Sequence, residues 1–136
     1  MDAGTVELRI PATAAWVALV RTAATATGAR QGRTVEALDD LALAVDEACA
    51  LLLAHTADDG ELVCRFTTYD DGALDVHLAG PTDAPPPQER SFAWLVLTSL
   101  VDDVTARTDG RHLSFLLRLA PAAHAGSAAA VRDGDG

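Results

Sequence analysis

A chain of 136 residues with 49% apolar content suits one domain with one core. Its formal net charge of -10 comes from 20 acidic residues against ten basic ones, all of them arginine. The absence of lysine excludes a P-loop and Schiff-base chemistry, and the acidic balance argues against nucleic-acid binding while suiting a basic protein partner.

Aromatic residues make up only 4%, which puts weight on Trp16, Phe66, Phe92, Trp94 and Phe115 as expected core anchors. The N-terminus Met-Asp-Ala-Gly-Thr is not basic, and no run approaches the ~20 apolar residues that cross a bilayer. Two cysteines, Cys49 and Cys64, are too few for a disulfide framework. A cytoplasmic, reduced protein that does not engage a membrane is expected.

Residues 5 to 10 alternate as a strand with Val6, Leu8 and Ile10 on one face, and Pro11 ends it. Residues 13 to 27 carry Trp16, Leu19, Val20 and Ala23 at helical spacing, with Gly28 starting the exit and 29 to 33 a loop. Thr34 is the expected N-cap of a second helix running to about His55. Its stripe is Leu38, Leu41, Ala42, Val45, Cys49 and Leu52.

Residues 61 to 69 and 73 to 79 read as strands joined by the hairpin signal Asp70-Asp71-Gly72. Four prolines between Gly80 and Arg90 predict a loop. Ser91 is placed as the cap of a third helix over 92 to 105. Asp109-Gly110 then turns the chain into a last strand over 111 to 119. Residues 120 to 136 have little to bury and are expected to form a disordered tail. The order predicts an α+β two-layer sandwich: a mixed, mostly antiparallel sheet covered on one face by about three helices.

Two segments carry a resemblance: Leu41 to Cys49, reading Leu-Ala-Leu-Ala-Val-Asp-Glu-Ala-Cys, and Ser91 to Val104. With the element order, they resemble the GHKL (Bergerat-like) ATP-binding fold shared by histidine kinases, gyrase and RsbW-type anti-sigma factors. The similarity covers about residues 5 to 119 and is nearest the actinobacterial RsbW homologues of the UsfX type. It implies one RsbW-like domain over 1 to 119.

In active members, the second helix carries Glu-x-x-x-Asn, whose asparagine holds magnesium. Here Glu47 is present, but Leu51 stands four residues later, and a hard cation requires oxygen ligands. Active members follow the hairpin with Asp-x-Gly-x-Gly, whose aspartate reads adenine. The matching positions here are Gly80, Thr82 and Ala84, with Asp83 reachable only through a gap. A glycine-rich lid should lead to the phosphate-facing start of the third helix, but Ser91 and Ala93 stand there. A closing Gly-Thr pair is replaced by Arg111-His-Leu-Ser114.

The resemblance therefore implies a kinase-derived scaffold with degenerate ATP boxes, a vestigial Glu47, and neither cofactor nor metal. The apolar face around Glu47, with Leu43, Ala44, Ala50, Leu51 and Ala54, is expected to have collapsed into the old pocket. The implied partners are an alternative sigma factor, held away from RNA polymerase in stress or developmental control, and a STAS-type anti-anti-sigma factor that releases it. Arg21, Arg30, Arg33 and Trp94 are the contact candidates, and a homodimer through the first strand and helix is allowed.

The competing reading is an active ATP-dependent serine kinase of the RsbW type. For each arginine, an ordinary surface role competes with the partner role. Cys49 and Cys64 read as small buried hydrophobes ahead of a redox pair, and His55, His77, His112 and His124 lack metal-ligand spacing.

Overall fold

The computed structural model describes residues 2–56, 59–82 and 91–121. In chain order the elements are β1 (Asp2–Pro11), a 3-10 turn (Ala14–Trp16), α1 (Val17–Arg30), α2 (Val35–Leu53), β2 (Glu61–Tyr69), β3 (Leu74–Pro81), α3 (Phe92–Leu100), β4 (Asp103–Thr108) and β5 (His112–Leu119). The sheet order is β1-β2-β3-β5-β4, and every neighbouring pair is antiparallel. The fold class is the expected α+β, but the sheet is antiparallel throughout where a mixed one was expected.

Register explains why one face of the sheet is buried. Ile10 stands opposite Leu62, Phe66 opposite Val76, Leu78 opposite Phe115, and Leu117 opposite Val104. Because side chains alternate along a strand, each pairing keeps apolar groups on the same side. Leu62, Cys64, Phe66, Leu74, Val76, Leu78, Leu113, Phe115 and Leu117 are fully buried there beneath the helices.

Helix α2 begins at Thr34, whose hydroxyl accepts from the Ala37 N–H at 3.1 Å. Its buried seam is Leu41, Ala44, Val45, Ala48, Cys49 and Leu52. Ala44 and Ala48 extend the predicted stripe, while Leu38 and Ala42 are only half-buried. Both cysteine thiols are fully covered, and burial pushes each up to about 12, so thiolate is scarce at neutral pH.

The helix boundaries and faces differ from expectation in several places. Helix α1 runs through Gly28 to Arg30 and turns off at Gly32, whose φ is +79°. Its buried residues are Val20, Ala24 and Gly28, four apart. Trp16 and Leu19 are instead 45% and 44% exposed. Gly28 is an interior packing position: a Cβ there would stand 2.9 Å from Leu38 Cδ2.

Phe92, expected in the core, is 81% exposed, whereas Trp94 packs partly against the core. Helix α3 ends at Leu100, Val101 is extended with φ -133° and ψ 170°, and the predicted helical residues 103 to 105 open strand β4. The apolar run from Phe92 to Val101 hides that break, while β-branched Val104 and Thr105 favour the strand. Strand β3 continues to Pro81, so Gly80 and Pro81 lie in the sheet and not in a loop. The prolines at 85 to 87 and the expected tail from residue 122 onward lie outside the described residues.

The uncovered face of the sheet holds its own polar anchor. Asp75 and Arg118 are directly opposite in register, and Arg118 donates from Nε and Nη2 to the two carboxylate oxygens, each at 2.7 Å. The Tyr69 hydroxyl adds a third bond at 2.8 Å. The Asp75 side chain is only 9% exposed, against 52% for Arg118. The guanidinium first, and then the phenol, hold the Asp75 carboxyl below the usual carboxylate range despite its partial burial.

A depressed folded-state pKa means that the unfolded chain takes up the proton first, so this stabilisation is present at neutral pH and lost as acid titrates Asp75. Asp75→Asn should cost about 1–2 kcal/mol at pH 7 in urea unfolding. The difference between variant and wild type should shrink as pH falls through the lowered Asp75 value; an unchanged gap in acid would contradict the assignment.

Candidate functional site

Two acidic residues, Asp46 and Glu47, stand half-exposed on α2 between buried Val45 and Ala48. Asp46 is paired: Arg21 Nη1, from α1, donates to its two carboxylate oxygens at 2.8 and 2.9 Å. The pair sits in an open groove of about 530 Å³ between the two helices, lined also by Ala14, Val17, Ala50 and Leu53. Both side chains remain more than one-third exposed, so a partner's charged group can reach either of them.

Leu51 is half-buried and packs against the core, four residues beyond Glu47 on the same helix face. The expected collapse of this apolar face is only partial. Ala44 is buried, but Leu43 is 56% exposed and Ala50 and Ala54 face solvent. Each of these exposed residues points away from the α2 seam, which is filled by the residues that contact the sheet.

Gly80 is buried at the end of β3, where a Cβ would lie 2.6 Å from Leu62 Cδ2 and 3.1 Å from Thr56 Oγ1. Thr56 donates its hydroxyl to the Leu52 carbonyl at 2.6 Å, at the C-terminal end of α2. Thr82 is buried, and its backbone N–H donates to the Arg111 carbonyl at 2.6 Å. At Leu51 and Gly80, where the resemblance implies a metal ligand and an adenine-reading carboxylate, the chain supplies no side-chain oxygen.

Ser91 caps α3 as expected, accepting from the Trp94 N–H at 3.2 Å, with Ala93 half-buried behind it. Ala84 and Asp83 lie outside the described residues. The stretch that replaces the closing Gly-Thr pair is held as a turn: Asp109 Oδ1 accepts from the Arg111 and His112 N–H groups at 2.8 and 2.7 Å. Among the described residues, no group of three His, Cys, Asp or Glu side chains is placed to hold a metal ion. No described helix is long and apolar enough to cross a membrane.

The arginine candidates separate into two kinds. Arg33 is a tie within the fold. Its Nη2 donates to the carbonyls of Gly72 and Ala120, both at 2.9 Å, and its Nε donates to Gln31 Oε1 at 2.9 Å. Gln31 in turn donates to the Ala73 carbonyl. Together they bind the α1–α2 turn to the β2–β3 hairpin and the end of β5, and they account for Arg33 without a partner.

Arg30 is exposed at the end of α1, and Arg21 lies in the groove described above. Residue types and spacing could not reveal that Asp46 holds Arg21, because the pairing depends on how α1 and α2 pack. Asp75 and Arg118 were legible only through register, which places them opposite one another.

Against known proteins, the family profile described as a histidine kinase-like ATPase domain matches residues 10–117. The chain belongs to the histidine kinase-like ATPase domain family. Within it, the similarity is to RsbW-type members. An anti-sigma-F factor RsbW of Mycobacterium tuberculosis is 37% identical over 108 residues, covering 78% of this chain and 63% of that protein. A serine-protein kinase RsbW of Bacillus pumilus is 34% identical over 71 residues, covering 48% of this chain and 44% of that protein. The chain thus spans about half to two-thirds of the length of these relatives. The crystal structure of the RsbU and RsbW domains of a Mycobacterium tuberculosis protein superposes with a TM-score of 0.69 at 16% identity. That likeness covers 86% of this chain and 32% of the other, and it supports the fold.

The division among the arginines is measurable. Arg33→Ala should lower stability by about 1–2 kcal/mol, since it leaves two carbonyls without their donor. Arg21→Ala and Arg30→Ala should each stay within about 1 kcal/mol of wild type, as expected for exposed charges. Thermal melts of the three variants check this, and a larger loss from Arg30→Ala than from Arg33→Ala would reverse the assignment.

Proposed function

We propose that this chain is an RsbW-type anti-sigma factor that sequesters an alternative sigma factor by direct protein–protein binding, without ATP binding or kinase activity. A STAS-type anti-anti-sigma factor releases the sigma factor by competition. The observation that carries the reading is the 37% identity, over 108 residues, to a protein named an anti-sigma-F factor. The charge of -10 gives it a physical reason, because sigma factors carry basic DNA-binding surfaces that an acidic partner attracts.

The groove between α1 and α2 is the proposed contact surface, with Arg21 and Asp46 as the charged pair that a partner would re-engage. Arg30, at the far end of α1, and Trp94, on α3, do not line it and stay as secondary candidates; the internal bonds of Arg33 give it a role within the fold. The non-catalytic part of the reading rests on Leu51 and Gly80, neither of which offers a side-chain oxygen. We place this activity in the cytoplasm, where RNA polymerase and its sigma factors operate.

A homodimer through β1 and α1 is part of the proposal. Strand β1 is a sheet edge with no neighbour on its outer side among the described residues; Val6 within it is 56% exposed, and Trp16 and Leu19, in the 3-10 turn and α1, are 45% and 44% exposed.

The kinase reading has its own support. A relative 34% identical over 71 residues is named a serine-protein kinase, and Glu47 is retained, half-exposed, on α2.

Affinity capture from the source cells, with and without Arg21→Glu, tests the proposal. A sigma factor should be recovered with the wild type and depleted at least ~10-fold by the charge reversal, as expected from losing a contact worth ~1.4 kcal/mol or more. Absence of any sigma factor under both stress and non-stress conditions would sink the anti-sigma reading. Transfer of labelled phosphate from ATP to a STAS-domain protein would establish the kinase in its place.

A further inference from the structure

The proposed lack of nucleotide binding has a packing counterpart beyond the missing polar residues. Gly80 sits where β3 leaves the sheet, on the helix-facing side, in register with Leu113 of β5. The volume in which any side chain would begin is already taken. Leu62 Cδ2 stands 2.6 Å from the position of a Cβ, and Leu62 is itself fully buried. On the other side Thr56 Oγ1 stands at 3.1 Å, and it is fixed by its bond to the Leu52 carbonyl. Both neighbours are buried side chains, so room for an added carbon has to come from rotamer changes or backbone shifts within a close-packed interior.

We infer that position 80 is a sealed wall, closed by the packing of Leu62 and Thr56 against the Gly80 backbone, so that restoring polar groups to the old nucleotide boxes does not restore a nucleotide site. The inference rests on the non-nucleotide reading and extends it. The chain has lost the room for an adenine-reading carboxylate at this position as well as the carboxylate itself. Its partner exchange is therefore insensitive to Mg·ATP, and competition between partners is the control that remains.

The packing itself is tested by a double-mutant cycle of Gly80→Ala and Leu62→Ala, read by melting temperature. Gly80 has no positive φ, so alanine is not strained by the backbone there and would ordinarily be neutral or stabilising. In the wild-type background, Gly80→Ala should lower Tm by roughly 5 °C or more. In the Leu62→Ala background, where Thr56 alone remains close, the same change should cost much less. An equal cost in both backgrounds would overturn the inference, because Leu62 would then not be the plug.

Calorimetric titration with Mg·ATP completes the test on wild type and on the folded Leu51→Asn/Gly80→Asp variant. Both should show no saturable binding at millimolar nucleotide. Binding by the variant alone would overturn the sealed wall while leaving the non-nucleotide reading intact. Binding by wild type would overturn the non-nucleotide reading itself. If the double variant does not fold, the melting cycle decides the inference alone.

Discussion

Helix α2 lies between α1, α3 and the sheet, and the small residues on its inner seam set the distance at which these layers meet. Ala44, Ala48 and Cys49 let the helix sink toward the sheet, while Leu41, Val45 and Leu52 fill the gaps around them. Burial of a leucine or valine side chain contributes about 1.5–3 kcal/mol, so the large residues of this seam outweigh any single surface ion pair in the molecule. The approach of α1 depends on the same economy of volume. Gly28 brings the backbone of α1 against Leu38 and Leu41, and a methyl group there would already be too close to Leu38. Substituting bulk into this seam would displace the elements packed against it, whereas Asp46 and Glu47 lie outside the seam and are not held by that packing.

What the sequence disclosed follows from how strongly each segment is constrained locally. Strands β2, β3 and β5 alternate cleanly because one face is buried and the other open, and Thr34 and Ser91 were recognisable caps because their hydroxyls meet specific N–H groups. Strand β4 was missed because it is short, lies at the sheet edge and follows an apolar helix without a glycine or proline between them. Trp16 and Phe92 were misplaced by a rule that aromatic side chains go inside. In an alanine-rich protein the interior is narrow, and Phe66 and Phe115 with the leucines already fill it. Burial of Gly80 and the role of Arg33 depend on contacts between distant segments, and no period or motif reports those.

Charge in this molecule is organised rather than spread. On the open face of the sheet, Arg118 and Arg65 are committed to Asp75 and Glu7. Arg33 is committed to backbone carbonyls. These pairs spend cations on holding the fold, so the unpaired surplus that gives the chain its net charge is acidic. A field of that sign draws basic partners to the surface from a distance and sets encounter rates more than final affinity. For the proposed partner, specificity would then come from short-range features, and the α1–α2 groove offers apolar and charged ones. Ala14, Val17, Ala50 and Leu53 offer an apolar floor, and Arg21 with Asp46 presents one group of each sign.

The same arrangement explains how a nucleotide-binding scaffold can lose its ligand without losing its shape. In a pocket that must hold magnesium and phosphates, oxygen ligands and open backbone are requirements that oppose tight packing. Once the ligand is gone, nothing resists replacing a polar wall with an apolar one, and each such change adds buried area. On the proposed non-nucleotide reading, Leu51 against the core and Leu62 against Gly80 are contacts of the kind such a change would leave, apolar packing at positions where the resemblance implies polar groups. A surface proposed to meet a protein partner is under the opposite pressure. It must stay exposed, and Leu43, Ala50 and Asp46, the last paired with Arg21 of α1, are exposed or half-exposed on the helix whose other side is packed against the sheet. Packing on one side of α2 and exposure on the other thus separate the scaffold from the proposed contact surface.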